Sequence, residues 1–363
     1  MTHSQRRDRL AARLAADGLD AILISDLVNV RYLSGFSGSN AALLVFAGDT
    51  PTVLATDSRY RTQAARQAPD VETAIERACG RHLVGRAVAD GAARIGFESH
   101  VVTVDGFDVL ARELDDHPAA QLVRASGTVE ELREVKDAGE IALLRLAGEA
   151  ADAALTELVD SGGLRPGRTE REIGRQLEAL MLEHGADGPS FETIVAAGAN
   201  SAIPHHRPTD AVLASGDFVK IDFGALVGGY HSDMTRTFVL GAAADWQREI
   251  YEVVAAAQQA GRNALDVGAE LRDVDGAARR VIVDAGYGEY FGHGLGHGVG
   301  LQIHEAPGIN SAAAGTLLAG SVVTVEPGVY LPDRGGVRIE DTLVVGERSP
   351  ELLTRFPKEF MVR

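Results

Sequence analysis

Val219-Lys220-Ile221-Asp222-Phe223-Gly224, followed by Gly229-Tyr230-His231-Ser232-Asp233-Met234-Thr235, is a phrase this chain uses twice. It returns as Val323-Thr324-Val325-Glu326-Pro327-Gly328 and then Gly336-Val337-Arg338-Ile339-Glu340-Asp341-Thr342. Both copies fit one template: Val, any residue, an aliphatic, an acid, any residue, Gly; then Gly, three residues, an acid, one residue, Thr. The first half of each alternates as a strand does, with Val219, Ile221 and Phe223 on one face and Asp222 on the other, away from the core. A hairpin centred between Val227 and Gly228 sets Asp222 directly opposite Asp233. A second hairpin, turning about Asp333 in a Pro-Asp-Arg-Gly loop, sets Glu326 opposite Glu340. Directly opposed side chains have Cβ atoms about 4.5–5.5 Å apart, and like charges there are destabilising. At an effective dielectric near 20 the repulsion is on the order of 4 kcal/mol per pair. A lone strand acid is ordinarily solvated, but acids at matching places in two copies call for a cation between them.

Composition narrows the class. The 363 residues are enough for two domains with full cores, and 45% hydrophobic with 24% charged residues describes a soluble globular protein. With 35 basic against 52 acidic residues the net charge is −17, which argues against nucleic acid or an anionic membrane as partner. Cys79 is the single cysteine, so no internal disulfide can form and a reducing compartment is expected. Met1 to Ala16 is studded with arginines and lacks the apolar centre of a signal peptide. No apolar run reaches the length of a membrane span. The expected location is the cytoplasm.

Along the chain, the first part alternates helical and strand patterns. Helices are expected at Arg6 to Ala16, Asn29 to Leu33, Asp57 to Gln67, His82 to Ala89 and Val104 to Leu114. Strands are expected at Ala21 to Ile24, Ala42 to Ala47, Pro51 to Thr56, Val71 to Ile75, Arg94 to Phe97 and Gln121 to Arg124. That is an α/β domain over 1–126. Thr128 can cap the helix that opens the second domain, 127–363. There Glu130 to Val159 reads as two helices bent near Asp137, and Thr169 with Glu172 signals a capping box for a helix to His184. Helices at Asp245 to Leu265 and Asp273 to Ala285 precede the second phrase, as the earlier pair precedes the first. The expectation is an α+β domain of two related halves with a curved antiparallel sheet and helices outside it. The small-residue loop Ser34 to Ser39 lacks the Lys of a phosphate-binding loop and reads as tight-turn packing.

Between the hairpins, Phe291 to Glu305 carries five glycines in nine residues, which rules out a stable helix and allows close backbone approach. It holds no dinucleotide fingerprint and no His-Glu-x-x-His zinc motif. Six of the eleven histidines lie between 205 and 304, near the four acids: His205, His206, His231, His293, His297 and His304. Four carboxylates with an imidazole suit two hard-to-borderline divalent ions such as manganese, cobalt, iron or zinc. Such a pair of ions activates water and polarises a carbonyl, which is metal-assisted hydrolysis.

These residues resemble a known ligand set. Asp222, Asp233, His297, Glu326 and Glu340, in the contexts Ile-Asp-Phe-Gly, Ser-Asp-Met-Thr-Arg-Thr, Gly-His-Gly-Val-Gly, Val-Glu-Pro-Gly and Arg-Ile-Glu-Asp-Thr, look like the metal ligands of the "pita-bread" metallopeptidases. That superfamily includes aminopeptidase P, prolidase, methionine aminopeptidase and creatinase. The first domain, with Arg31 to Ser39 and Thr56-Asp57-Ser58-Arg59-Tyr60, resembles the creatinase-like N-terminal domain of the aminopeptidase P and prolidase branch. Methionine aminopeptidases lack that domain, and creatinase lacks the metal ligands. By resemblance, Asp233, Glu326 and Glu340 bridge two metal ions, with Asp222 on one and His297 on the other, manganese being the expected metal. Glu326 also orients and deprotonates the water. His205, His293 and His304 match substrate-site histidines, with His205 and His304 counted as catalytic as well. His304 is placed to stabilise the oxyanion and His293 to hold the residue after the scissile bond. Arg338 matches an active-site arginine. His206 and His231 have no implied role and read as structural.

The implied reaction releases the N-terminal residue from peptides with proline in second position. Proline makes that bond a tertiary amide with no N–H and a fixed φ, so peptidases that bind the N–H fail there. The main expectation is an Xaa-Pro aminopeptidase, with an Xaa-Pro dipeptidase (prolidase) as the alternative. A catalytically silent binding protein on the same scaffold would show lost ligands, and none is lost. The resemblance also implies a homodimer.

Overall fold

The computed structural model describes residues 1–363 and divides into two compact units, Met1–Arg133 and Glu134–Arg363. In the first, six strands form a mixed sheet in the order Glu72–Ile75, Val53–Thr56, Ala41–Phe46, Ala21–Ile24, Arg94–Phe97 and Gln121–Arg124. The run Ala21–Ile24 is buried at every position, as a strand covered on both faces must be. Helices His3–Ala16, Leu27–Ser34, Cys79–Ala89 and Val104–Arg112 accompany the sheet, and Asp57 caps a short 3₁₀ turn that leads into the helix Arg61–Gln67. Leu83, Val84 and Ala87 of one helix pack with Leu23, Leu44 and Ile95 of the strands in the unit's core.

The second unit opens with Glu130–Glu134 leading into it and the long helix Ala138–Asp160, the break falling at Asp137, which caps the long helix. Thr128 does not cap the short helix; its hydroxyl donates instead to the Ala125 carbonyl (3.3 Å). Helix Glu170–Glu183 carries the expected capping box, Thr169 against Glu172. These two helices cover the first phrase: Ala151, Leu155, Leu158, Ile173 and Leu177 share a core with Val219, Ile221 and Phe223. Helices Asp245–Asn263 and Leu271–Asp284 cover the second in the same way, Ile250, Val254 and Ala278 packing with Val323 and Val325. Strand pairing in this unit is antiparallel and falls into ladders of three, three, five and two strands. No helix is long and apolar enough to cross a membrane.

The two hairpins differ in register. The second pairs Val325 with Asp341 and Gly328 with Arg338 about a turn at Asp333, so Glu326 stands opposite Glu340 as expected. The first pairs Asp222 with Thr235, not with Asp233. Its turn is Gly228-Gly229, with φ of +56° and +82°, the two-residue geometry in which both central residues take positive φ to match strand twist. The centre therefore lies one residue beyond the expected place, and the pairing is displaced by two. A displacement of two leaves each side chain on its own face, so Asp222 still points away from the helices. That face is not solvent: Asp222 is 7% exposed and the whole strand Phe218–Phe223 is buried.

Candidate metal centre

What covers the acid-bearing faces is the other half of the duplication. Thr235, the last residue of the first template, donates its hydroxyl to Glu340 Oε2 (2.7 Å), and the Glu340 N–H donates to the Thr235 carbonyl (3.1 Å). Thr342, its counterpart in the second copy, donates to the Asp233 carbonyl (2.8 Å). Each template threonine thus fastens the other copy's acid, and the acids meet across the halves. Ligand atoms of Asp233, His297 and Glu340 lie within 4.8 Å of one another. His297 Nε2 is 3.3 Å from Glu326 Oε1 and 3.6 Å from Asp233 Oδ2.

The glycine-rich stretch delivers His297. Gly296 runs so close to the neighbouring strand that a Cβ there would lie 2.1 Å from the Thr324 carbonyl oxygen. The register slips between His297 and Gly298, and such an irregularity re-aims the side chain beside it. His297 Nδ1 lies 3.1 Å from the Gly298 carbonyl. A carbonyl only accepts, so Nδ1 carries a proton and Nε2 is the nitrogen turned to the carboxylates, donating to Glu326 here and being the atom that would take a metal on losing that proton.

The electrostatics of the cluster point to an absent positive charge. Burial, then Glu340, Asp222 and Glu326, hold the Asp233 carboxyl well above its ordinary range. Burial, then Glu326 and Asp222, do the same to Glu340. Burial also works to raise Glu326, but its bond to His297 prevails and brings the carboxyl down to about 2, while the same bond raises His297 against its own burial. Asp222 Oδ1 and Asp233 Oδ1 are buried with no hydrogen-bond partner. Unpaired carboxylate oxygens in a buried site are costly. Oxygen donors in this number with one imidazole nitrogen match divalent ions of the manganese-to-zinc range, so the residues fit the group their pattern implies.

The cavity that opens onto the cluster has a volume of about 840 Å³, and all nine expected site residues line it: His205, Asp222, Asp233, His293, His297, His304, Glu326, Arg338 and Glu340. His304 stacks edge-on against His297, ring centres 4.4 Å apart, and burial followed by the His297 charge lowers its pKa. His205 is exposed to the cavity with no protein partner. His293 Nδ1 donates to the Gly294 carbonyl (2.8 Å), so Nε2 accepts from the Tyr330 hydroxyl (2.9 Å). Burial lowers the His293 pKa and pushes Tyr330 up to about 12.

The Arg338 guanidinium, in the cavity wall, is engaged within the protein. Nε donates to Thr235 Oγ1 (3.1 Å), and the two terminal nitrogens donate to the Tyr330 hydroxyl (2.7 Å), the Pro204 carbonyl (3.3 Å from each) and Asp222 Oδ2. All five N–H groups are engaged, and the side chain holds Asp222 in place. Of the two histidines read as structural, His206 Nε2 meets Glu170 Oε2 (2.8 Å) and His231 Nδ1 meets the Ser190 carbonyl (3.0 Å). Two residues that order the site escaped the sequence reading. Tyr330 carries no signal in its surroundings. Lys220 does: strand alternation sets it on the face of Asp222, and a lysine there next to a carboxylate cluster could have been noted.

Comparison with known proteins agrees with this geometry. The sequence matches Metallopeptidase family M24 over residues 142–347 and the Creatinase/Prolidase N-terminal domain over residues 6–135. The chain belongs to metallopeptidase family M24 and is a metallopeptidase with a creatinase-type N-terminal domain. It is 33% identical over 360 residues to an Xaa-Pro dipeptidase of Pyrococcus furiosus, covering 98% of this chain and 99% of the relative. It superposes on the structure of an Xaa-Pro dipeptidase from Bacillus anthracis with a TM-score of 0.94, 37% identity and full coverage of both chains. The structure of an X-Pro aminopeptidase from Thermotoga maritima gives a TM-score of 0.89 at 34% identity, covering 98% of this chain and 99% of that one.

Proposed function

We propose that this chain is an Xaa-Pro dipeptidase that uses two divalent metal ions, manganese first among the candidates, held by Asp222, Asp233, His297, Glu326 and Glu340. The observation that carries the metal assignment is the pair of buried, unpartnered oxygens on Asp222 and Asp233, in a cluster whose remaining carboxylates repel them. Full-length likeness to proteins named dipeptidases favours the dipeptide substrate over the longer peptides first expected. The Thermotoga likeness keeps the aminopeptidase as the second reading.

Bound metal supplies an activated water and polarises the scissile carbonyl. The chain's residues do the rest. Glu326 keeps Oε1 on Thr324 Oγ1 (3.2 Å) and His297, leaving Oε2 without a protein hydrogen bond to take the water's proton and return it to the departing proline nitrogen. His304, its imidazole kept neutral by burial, donates to the oxygen on which negative charge develops. His293, oriented through Tyr330, flanks the proline side. Arg338 being fully engaged, the basic groups left in the cavity wall to meet a free carboxylate are Arg207, paired at the rim with Glu192 (3.0 Å), and the histidines.

The test compares Xaa-Pro with Xaa-Pro-Yaa-Zaa on manganese-loaded protein, with products separated by chromatography. Cleavage confined to the two-residue peptide supports the dipeptidase. Release of the first residue from the longer peptide at a comparable rate makes the protein an aminopeptidase instead.

A further inference from the structure

We propose that Glu170 and Lys220 are positioning residues that brace the segment 197–209, Glu170 at both ends and Lys220 in the middle, and thereby fix His205 in the cavity wall. The proposal rests on the reading of His205 as a substrate-site residue. Neither brace lines the cavity or hydrogen-bonds a residue of the acid cluster, and both side chains are 0% exposed. Glu170 gives its whole carboxylate to this one segment. Oε1 accepts from the Ala197 N–H (2.8 Å) and Asn200 Nδ2 (2.9 Å); Oε2 accepts from His206 Nε2 (2.8 Å), the Thr209 N–H (2.9 Å) and Thr209 Oγ1 (2.7 Å).

Lys220 acts in the middle. Its Nζ donates to the carbonyls of Ile203 (2.7 Å) and Pro204 (3.2 Å) and lies 5.0 Å from the Tyr330 ring centre. Residues 197, 200, 203, 204, 206 and 209 are therefore tied, while His205 among them has no protein hydrogen bond and faces the cavity. After the 3₁₀ turn Gly198–Ala202 the segment belongs to no strand or helix, so its backbone groups have no ladder to order them. Charge-assisted bonds from the buried Glu170 carboxylate, roughly twice as strong as neutral ones, and the two bonds from the buried Lys220 nitrogen replace that ladder. A neutral side chain in either place would leave several buried donors or acceptors unmet.

The experiment is a double-mutant cycle. Glu170→Gln and His205→Ala are made singly and together, loaded with manganese, checked for metal content, and assayed on an Xaa-Pro dipeptide for kcat and KM. If the brace acts through His205, Glu170→Gln lowers kcat/KM by about 10- to 100-fold in the parent and by less than about 3-fold once His205 is Ala. Equal losses in both backgrounds overturn the proposal, since a general loss of structure is indifferent to His205. A silent Glu170→Gln beside a costly His205→Ala overturns it alone. A silent His205→Ala removes the reading of His205, and the proposal with it. Lys220→Met repeats the cycle with the other brace. Hydrogen exchange reads the bracing directly: the amides of Ala197 and Thr209, which donate to Glu170, should exchange far more slowly in the parent than in Glu170→Gln, and equal rates overturn the proposal.

Discussion

If the acid cluster is built for cations, replacing one of its members should stabilise the metal-free protein while destroying its response to metal. Asp233→Asn is the sharpest case, because the amide keeps the shape of the carboxylate and removes only its charge. Ligand atoms of Asp233 and Glu340 lie within 4.8 Å. Two unit charges at that distance repel by about 3.5 kcal/mol at an effective dielectric of 20, and Asp222 and Glu326 add to it. Burial first, and this repulsion after it, hold the Asp233 carboxyl well above its ordinary range, so the metal-free protein relieves part of the cost by holding protons. A carboxyl whose folded pKa exceeds its unfolded value costs the fold stability, a cost that grows as pH rises above the unfolded value and reaches its full size once the folded pKa is passed. At neutral pH the substitution should therefore return about 1–3 kcal/mol to the chelated protein. For a unit of the size of Glu134–Arg363, a gain of about 2 kcal/mol raises the midpoint by about 4–8 °C. Calorimetry on chelated and manganese-loaded samples measures both effects. In the parent, metal at a hundredfold excess over its Kd adds about 2.7 kcal/mol; in Asp233→Asn that shift should largely vanish. A lower midpoint for the chelated variant, or an undiminished response to manganese, refutes the reasoning.

Glu326→Gln should fold normally and lose turnover by at least about 100-fold, the contribution of a general base; near-normal turnover in a steady-state assay places the base elsewhere. Gly296→Ala puts a Cβ 2.1 Å from the Thr324 carbonyl oxygen; urea unfolding should show a loss of about 1–3 kcal/mol, and titration should show weaker metal binding as the neighbouring His297 shifts, whereas an unchanged variant denies the close approach. Burial holds the His293 pKa below 6.5, with Arg338 adding to it and Glu326 opposing it. Its neutral form therefore stabilises the fold fully above about pH 6.5 and progressively less as pH falls. The stability difference between the chelated parent and His293→Gln should shrink below that pH with a slope of at most about 1.4 kcal/mol per pH unit; parallel curves in urea melts across pH 4–8 contradict it.

What could be read along the chain was what short-range pattern encodes. Alternation separated Val219, Ile221 and Phe223 from Asp222, and the structure packs the three against helices and turns the acid away. The capping box at Thr169 is sequence-local and stands as expected, and the bend expected near Asp137 is a helix break that Asp137 caps. Symmetry about the acids does not give the register of the first hairpin, because the Gly228-Gly229 pair, with its positive φ values, sets the turn and displaces the pairing by two. Arg338 with Asp222, Glu170 with His206, and Thr235 with Glu340 lie 116, 36 and 105 residues apart. No local pattern pairs such residues, since the packing of one half on the other decides which of them meet.

That packing also accounts for how a duplicated phrase can produce a site that is not symmetrical. Strict two-fold symmetry would supply matching donors to both sides and leave no group distinguished as the base. In the second hairpin Glu326 directly faces Glu340, but in the first the shifted register sets Asp222 against Thr235 and frees Asp233 to meet His297 and Glu340 across the halves. Arg338 then engages Asp222 alone among the four acids, and His297 bonds Glu326. Four carboxylates from equivalent template positions thus acquire four different sets of neighbours. Of these, Glu326 is the one kept ionised by an imidazole with an oxygen free of protein bonds, which is the condition a proton acceptor must meet. A two-residue shift of register, conserving every face, together with Arg338 on one acid and His297 on another, makes a repeat into a chemically directional centre.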